Sequence, residues 1–408
     1  MNIEILAPAG NMEKLNTAFY YGADACYFAG TKLGLRAYAG NFKDDELKTS
    51  VEYAHSLGKK AYITVNVIAH NTDFEELKDY VLYLHSINVD AVICADIGII
   101  KFIRDVCPEL NIHVSTQANI TNKYSAKFFC DLGVTRLILA RELSLKEIKE
   151  IRDFIPSDIE IETFVHGAMC ISYSGRCLLS NYFTGRDSNH GECVQACRWN
   201  YALCEKSRQG EYFDITEDER GTYILNSKDM CMIEHLDKLV EAGITSFKIE
   251  GRMKSPFYVA TVVNAYRRAF KVLEEAMSSG TKYVCPREII EELENTSHRR
   301  YTTGFFLGAN DKEYIQDSMP VQKSVFIALV KEDSDGGKVL VEQRNRFKVG
   351  DTLEVLSPTD TFGTKFTVSK IENTVGDEVV DASRVQEQLY IYTDIPLKKG
   401  DILRVNKE

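Results

Sequence analysis

The stretch "CDLGVTRLILA" (130–140) joins the end of a helical pattern, a glycine turn and the start of an apolar run. The same design recurs in "YYGADACYFAG" (20–30) and "EAGITSFKIEG" (241–251). The glycine of each stretch fits the position after a helix, where the backbone is left-handed and a Cβ costs energy. These glycines are Gly22, Gly133 and Gly243. The repeat predicts helices that alternate with strands.

Eight apolar runs follow one another along the chain, at 3–6, 25–30, 60–67, 90–96, 112–117, 136–142, 159–167 and 246–251. Capping-box spacings mark helix starts, at Thr72 with Glu75 and at Ser144 with Glu147. Such alternation requires parallel strands joined by crossover helices. Eight units predict a closed (β/α)8 TIM-like barrel, and a doubly wound open sheet is the alternative.

Two segments break the barrel pattern. The seventh and eighth runs are separated by roughly 80 residues, far more than an ordinary connection of about 2–6, which predicts a cysteine-rich insertion at 168–225. It should close with a hairpin and a helix that carries Cys231. Beyond the barrel (1–280) and a linker (281–322), residues 323–408 alternate with period two and predict a small, barrel-like all-β domain of six or seven strands.

Composition limits the class of protein. The chain has 408 residues, is 44% hydrophobic and 27% charged, and has neither an export signal nor a long apolar span, so we expect a cytoplasmic protein without a membrane partner. Its formal charge of −11 argues against a protein that coats nucleic acid nonspecifically. A local basic groove is compatible with that charge.

Four of the eleven cysteines, at positions 170, 177, 193 and 197, fall within 28 positions of the insertion. In a reducing compartment such a cluster indicates metal binding or catalysis. Zinc usually takes closely spaced pairs in both halves of a site, and only the last two cysteines are close. A catalytic thiol with His166 as its base explains one cysteine. An iron–sulfur site accommodates the irregular spacing and explains the most residues.

Polar residues end the predicted strands, where a barrel carries its function. His166, Glu250 and Arg252 end the last two strands, and we interpret them as candidate catalytic residues. Other members of this predicted polar mouth are Asn66, Asp96, Thr116, Gln117, Arg141 and Glu142.

The run "ETFVHGAMCISYSGRCLLS" (162–180) resembles the signature of the peptidase U32 family, and further blocks such as "GECVQACRWNY" and "FKIEGRMKSPFYVATVVNAYR" extend the resemblance over nearly the whole chain. The family name implies a collagenase-like peptidase, yet no H-E-x-x-H or G-x-S-x-G motif occurs. Better understood members carry a 4Fe-4S cluster and hydroxylate RNA or ubiquinone precursors. The resemblance therefore implies a hydroxylase, with the peptidase as the alternative.

The resemblance also implies cluster ligands, which are Cys170, Cys177, Cys193 and Cys231, with Cys197 as the rival fourth ligand. It places the chain nearest the branch that converts the tRNA wobble uridine to 5-hydroxyuridine with prephenate, because that branch also has a C-terminal β-domain. The carboxylates of prephenate call for arginine, and the candidates are Arg176, Arg186 and Arg198, beside Arg252.

The expected partners are tRNA and this small dicarboxylate. Candidate RNA contacts are Arg267 with Arg268, Arg299 with Arg300 and Tyr301, and Arg344 with Arg346 and Lys348. The sequence leaves open whether the chain forms a homo-oligomer or a hetero-oligomer with a paralogue.

Overall fold

Parallel strands close into a barrel in the computed structural model, which describes residues 3–34, 41–170, 172–173, 175–199, 228–308 and 321–407, without the side chains of His190 and Arg198. The first ten strands are β1 (Glu4–Pro8), β2 (Ala25–Phe28), β3 (Lys60–Val65), β4 (Ala91–Cys94), β5 (Ile112–Val114), β6 (Arg136–Ile138), β7 (Glu160–Ala168), β8 (Asp229–Cys231), β9 (Ser246–Ile249) and β10 (Tyr301–Thr302). Strands β1 to β7 pair in chain order, and β9 pairs with both β7 and β1. The predicted (β/α)8 barrel is confirmed, and the alternative of an open sheet is wrong.

Helices follow the barrel strands in turn. They are α1 (Met12–Tyr20), α2 (Asp44–Ser56), α3 (Leu77–Ser86), α4 (Ile97–Val106), α5 (Lys123–Asp131), α6 (Leu145–Phe154), α7 (Leu179–Thr184), α8 (Leu236–Glu241), α9 (Pro256–Ser279) and α10 (Arg287–Glu292). Among the described residues, no helix is both long and apolar enough to cross a membrane.

The insertion leaves the barrel after β7 and returns through β8, which pairs antiparallel to β7. The prediction of a helix that carries Cys231 is therefore wrong, because Cys231 ends β8 and lies opposite His166 in the ladder. A run of three strand residues carries too little periodicity to be recognised in the sequence. The predicted hairpin lies outside the described residues.

Of the two predicted capping boxes, one is confirmed and the other is wrong. Ser144 accepts the backbone N–H of Glu147 and the Glu147 carboxylate accepts that of Ser144, so this box is confirmed. The box at Thr72 and Glu75 is wrong, because the short 3-10 helix Asn71–Phe74 starts after His70. The backbone N–H of His70 is bound by Asp73.

Left-handed glycines end three barrel helices as predicted, with φ of +106° at Gly22, +76° at Gly133 and +88° at Gly243. Gly243 also allows a close approach, since a Cβ there would lie 2.6 Å from Cγ of Arg152. The Arg152 guanidinium donates to the carbonyl of Ile155 at 3.3 Å, which limits how far this side chain can move.

Gly243→Ala is expected to lower the free energy of unfolding by about 2–4 kcal/mol, because two costs add. One is the strain of a left-handed backbone with a Cβ, and the other is overpacking against Arg152. Gly58→Ala is the matched control: Gly58 has φ +66°, but an added Cβ there would have no atom of the described residues within 4 Å. It should cost only about 1–2 kcal/mol. Urea unfolding of both variants tests this, and equal losses would contradict a packing role for Gly243.

A charged layer fills the barrel interior near the start of the strands. Arg136 opens β6, its side chain is 2% exposed, and its Nη1 lies 2.6 Å from Glu4 and 2.9 Å from Glu162. Its Nη2 lies 2.6 Å from Glu160. Ser246 donates to Glu4 at 2.8 Å. These contacts satisfy the buried carboxylates, as buried charges require.

The C-terminal strands form antiparallel sheets, which confirms the predicted all-β domain. They are β11 (Ser324–Val330), β12 (Lys338–Gln343), β13 (Phe347–Lys348), β14 (Thr352–Leu356), β15 (Lys365–Thr367), β16 (Ile371–Asn373), β17 (Asp381–Ala382), β18 (Gln388–Tyr392) and β19 (Ile402–Asn406). Seven of them form one sheet in the order β15-β14-β19-β11-β12-β18-β16, and β13 pairs with β17. The core of this C-terminal domain includes Val339, Val341, Leu353, Leu389 and Leu403.

The chain divides into two compact units. One holds the barrel strands and the insertion, and the other combines the C-terminal sheets with Glu13–Ala23 and Lys254–His298. Within the second unit Tyr21 donates to the carbonyl of Leu356 at 2.7 Å. The second unit therefore takes in segments that precede the sheets in sequence. The domain limits at residues 280 and 323 stay predictions.

Candidate functional site

A pocket opens at the C-terminal ends of the barrel strands. Its lining comes from strands β2, β3, β4, β7 and β9 and from the segments that follow β3, β5, β6 and β9. The lining residues are Tyr27, Thr64, Asn66, Ile93, Ser115, Thr116, Gln117, Arg141, Phe164, Lys248, Glu250 and Arg252. Three cations and one carboxylate among them suit an anionic ligand that also exchanges a proton. We call this site the mouth pocket.

Arg141 links the mouth pocket to the cysteine-bearing loop. Its Nη1 donates to the carbonyl of Ala168 at 2.9 Å, and its Nη2 lies 3.5 Å from the Glu250 carboxylate. The guanidinium also lies over the Phe164 ring, 4.1 Å from its centroid. Its Nε is buried and has no hydrogen-bond partner among the described residues. A buried unsatisfied donor of this kind is where a bound acceptor would stabilise the site.

Glu250 and Arg252, both predicted as catalytic, line the mouth pocket. Arg252 is 3% exposed and donates to the Thr64 hydroxyl at 3.2 Å and to the Asn41 side chain at 2.9 Å. These bonds fix its guanidinium in the pocket wall. The backbone N–H of Glu250 donates to the carbonyl of His166 at 2.9 Å, which joins the ends of β9 and β7.

His166 is almost fully buried, with 1% exposure. The ladder between β7 and β9 is irregular between Phe164 and His166, which changes the direction of the side chains at the strand end. The His166 ring lies 5.3 Å from the ring of Tyr301, between centroids. His166 is not among the residues that line the mouth pocket. Its proposed catalytic role stays a prediction.

Cys170 and Cys177 are brought together across the start of the insertion. The Cys170 thiol is hydrogen-bonded to Cys177, and this bond lowers the pKa of Cys177 to about 5. The backbone N–H of Leu179 and the hydroxyls of Ser172 and Ser188 support the same shift of the Cys177 pKa. The pair therefore favours one thiolate, which is the form that binds metals.

The other candidate ligands lie on neighbouring segments. Cys193 is exposed, and Cys197 and Cys231 are half-buried. Within the described ranges, three potential ligand atoms lie within 4.8 Å of one another only at His85, Cys107 and Glu109, outside the insertion. The donor chemistry of the Cys170–Cys177 pair thus fits a thiolate-bound metal group. A site with four thiolates would need the insertion to bring two more sulfurs towards that pair.

The three arginines predicted to bind carboxylates lie elsewhere in the insertion. Arg176 and Arg186 are exposed, and neither lines the mouth pocket. The side chain of Arg198 lies outside the described residues. The cations that the structure gathers in the pocket are instead Arg141, Lys248 and Arg252.

Most arginines proposed for RNA contacts hold structural bonds. Arg267 donates to the carbonyl of Gly22 at 2.6 Å, and Arg268 lies over the Phe362 ring, 3.9 Å from its centroid. Arg344 pairs with Glu342 at 2.6 Å. These contacts leave fewer donors for phosphate than the sequence indicates, and the RNA patches stay predictions.

Sequence analysis missed Lys248, although a signal was present. In "SFKIEG" the polar residues Ser246, Lys248 and Glu250 alternate with apolar ones. Alternate strand residues share one face, so these three side chains belong to the barrel interior. The lysine was hidden because a single charge within a short apolar run is easily taken for a surface residue.

Fold and site together define a (β/α)8-barrel protein with a cation-lined mouth beside a cysteine-rich insertion. The chain belongs to peptidase family U32: the model of that family matches residues 10–316, and the model of the family's C-terminal domain matches residues 322–404. The resemblance stated from the sequence is confirmed.

Relatives in the family carry different names. A Bacillus subtilis protein named tRNA hydroxylation protein P1 is 40% identical over 407 residues, which cover 97% of this chain and 94% of that protein. Escherichia coli 23S rRNA 5-hydroxycytidine C2501 synthase is 36% identical over a match that covers 75% of this chain and 45% of that protein. A Porphyromonas gingivalis protein named Collagenase is 30% identical, with coverages of 88% and 87%. Family membership alone therefore does not choose between RNA hydroxylation and peptide hydrolysis.

Proposed function

We propose that this chain is an RNA hydroxylase that forms 5-hydroxyuridine at the tRNA wobble position with prephenate as co-substrate. Relatives named for tRNA and rRNA hydroxylation support the RNA hydroxylase class, and a relative that matches nearly end to end carries the tRNA name. An anticodon loop offers unstacked bases that can enter a pocket without the cost of opening a duplex.

The observation that carries the proposal is the position of Arg141. Its Nη1 holds the carbonyl of Ala168, two residues before Cys170, while its Nη2 faces Glu250 in the mouth pocket. A co-substrate carboxylate bound by the free Nε of Arg141 would lie between the pocket and the thiol pair. Bidentate pairing with carboxylates is what guanidinium groups do best.

Cysteines of the insertion and of β8 would hold a 4Fe-4S cluster. The proposed ligands are Cys170, Cys177, Cys193 and Cys231, with Cys197 as the rival for the fourth place. When bound, such a cluster supplies one-electron redox chemistry whose potential depends on hydrogen bonds to its sulfurs. The donors around Cys177, including Leu179, are suited to that tuning.

The pocket residues have complementary tasks in this proposal. Arg141 and Arg252 bind and orient carboxylates, and Arg252 is fixed in place by Thr64 and Asn41. Glu250, paired with Arg141, is positioned to accept the proton that leaves C5 of the base. His166 would act from behind the wall by keeping the ends of β7 and β9 in register.

RNA would meet the insertion before the pocket. Large apolar side chains are exposed there, including Tyr182 at 82% and Trp199 at 44%. Arg176 and Arg186 are exposed in the same segment. Aromatic rings next to cations suit unpaired bases, since stacking contributes about 1–3 kcal/mol per base.

The test is the product itself. Protein purified without oxygen is incubated with prephenate and tRNA that lacks the modification, and the nucleosides are analysed by mass spectrometry for 5-hydroxyuridine. Formation that depends on both prephenate and protein supports the proposal. The absence of 5-hydroxyuridine with iron-loaded protein would overturn it, and 5-hydroxycytidine from ribosomal RNA would redirect it to another RNA.

Arg141→Gln is expected to lower kcat/KM for prephenate by about tenfold to a hundredfold, because a hydrogen bond to a charged group contributes about 1.5–3 kcal/mol. Arg287→Gln is the matched control, since Arg287 is exposed and pairs with Glu291 on its own helix. Its kcat/KM should equal that of the wild type. An unchanged kcat/KM in Arg141→Gln would contradict the carboxylate-binding role.

Peptide hydrolysis is a second candidate function, favoured by the relative named Collagenase and by the Cys177 thiol with its lowered pKa. It predicts that metal-free protein cleaves a collagen-like peptide and that Cys177→Ala or Cys170→Ala ends cleavage. His166, the expected base, lies opposite Cys231 in the ladder between β7 and β8. Cleavage that survives both cysteine changes would exclude a thiol peptidase.

A further inference from the structure

Lys248 is a buried amine that the proposed hydroxylation has not used. It is the third residue of β9, is 4% exposed and lines the mouth pocket. Its Nζ lies 2.8 Å from the Glu162 carboxylate and 4.4 Å from the centroid of the Tyr27 ring. The amine is thus fixed at one place in the pocket wall, with a carboxylate beside it.

The surroundings of Lys248 make its ammonium group easier to deprotonate than that of an exposed lysine. Burial lowers the pKa of Lys248 and outweighs the opposing attraction of Glu162. The positive charge of Arg136, which shares Glu162, lowers the pKa of Lys248 further. Desolvated lysines of this kind form Schiff bases with carbonyl compounds. Glu162 can take a proton from the amine at hydrogen-bond distance.

The same pocket offers cations for a carboxylate next to that carbonyl. Arg141 and Lys248 both contact the Phe164 ring, at 4.1 Å and 5.3 Å from its centroid. Arg252 lines the same pocket. A guanidinium for the carboxylate and an amine for the keto carbon are the two groups that a 2-oxo acid requires.

We propose that Lys248 forms an imine with the keto group of a 2-oxo acid held in the mouth pocket. The neutral amine adds to the keto carbon, the carbinolamine loses one water, and a C=N bond replaces the C=O bond. Glu162 accepts the proton that nitrogen gives up and returns it to the leaving hydroxyl, so no oxidant or reductant is consumed. The inference deepens the proposed function and rests on it, because prephenate carries such a keto group.

Reductive trapping tests the imine directly. The full-length protein is incubated with pyruvate, phenylpyruvate or prephenate, reduced with borohydride, and analysed as intact protein and as peptides. The expected result is one adduct per chain, heavier than the protein by the mass of the 2-oxo acid less one oxygen, on the peptide that contains Lys248. Absence of an adduct with all three acids would overturn the proposal, as would adducts spread over surface lysines.

Matched variants complete the experiment. Lys248→Arg keeps the charge next to Glu162 but forms no imine, and its adduct should fall to background. Lys60→Arg is the control, since Lys60 lies exposed at the start of β3 and should leave the adduct yield unchanged. Thermal unfolding confirms that both variants are folded, and the wild-type peptide map locates the adduct even if Lys248→Arg unfolds.

The two proposals fail separately. Trapping at Lys248 without any 5-hydroxyuridine would support the imine and overturn the proposed tRNA reaction. Formation of 5-hydroxyuridine without trapping in the wild type would overturn the imine alone. Lys248→Arg protein that makes 5-hydroxyuridine at the wild-type rate would also overturn an imine on the reaction path.

Discussion

Arg136→Met is expected to destabilise the barrel by about 3–5 kcal/mol, the usual cost of removing one partner of a buried ion pair. Arg136 has 2% side-chain exposure and contacts three carboxylates, of which Glu162 is fully buried. Without the guanidinium, the donors that the described residues still offer to Glu4 are neutral, from Tyr62 at 2.7 Å and Ser246 at 2.8 Å. Urea unfolding at pH 7 measures the loss.

The loss should shrink as the pH falls. Burial alone would raise the pKa of Glu4. The positive charge of Arg136 and the hydrogen bonds from Arg136, Tyr62 and Ser246 hold that pKa below its ordinary value of 4.5. In the wild type this stabilisation is complete above pH 4.5 and is lost as the pH falls through the lowered pKa. In Arg136→Met, burial is expected to raise the pKa of Glu4. Protonation of Glu4 then removes its buried charge, so the variant loses less stability as the pH falls towards 4.5.

Arg287→Met serves as the control, because Arg287 pairs with Glu291 on the surface of α10 with 88% exposure. Exposed pairs contribute little, so no measurable change is expected. The double variant Arg136→Met with Glu4→Gln should recover part of the lost stability, since it removes a buried charge. A loss under about 1 kcal/mol in Arg136→Met, equal at pH 7 and pH 5, would contradict the account of this network.

The barrel could be predicted from the sequence because its signal is local. Each strand is a buried apolar run, and glycines such as Gly243 mark the turn before the run that follows. Closure of the barrel follows from the count of eight units. Strand β8 could not be predicted, because its three residues become a strand by pairing with β7 and β10, which lie far from it in the sequence.

The cysteines of the site could be predicted from the sequence and the full set of pocket cations could not, because only local patterns are visible in a sequence. Cysteine spacing is visible in the sequence, and the structure brings Cys170 and Cys177 together. The cations of the mouth pocket come from β9 and from the segments after β6 and β9, so their convergence exists only in the closed barrel. Arg176 and Arg186 looked suitable because they are close to the cysteines in sequence. Proximity in sequence, however, does not place a side chain in the pocket.

Cys177→Ala is expected to remove bound iron and to reduce 5-hydroxyuridine formation to background. Hydrogen bonds from Cys170, Ser172 and Ser188 lower the pKa of the Cys177 thiol and so favour its thiolate. Thiolates are the ligands of iron–sulfur clusters. Iron, acid-labile sulfide and the absorption spectrum of protein purified without oxygen are measured, and about four irons per chain are expected in the wild type. Zinc or no metal in the wild type would overturn the cluster.

Cys130→Ala provides the control, because Cys130 lies on α5, outside the insertion, and should keep its iron. Cys231→Ala and Cys197→Ala then identify the fourth ligand. Cys231 ends β8 opposite His166, so its ligation would tie the cluster to the β7 end of the barrel. Ligation by Cys197 would instead keep all four ligands between residues 170 and 197. Iron lost in Cys231→Ala but kept in Cys197→Ala would therefore make β8 a support for the cluster, and explain why so short a strand pairs with β7.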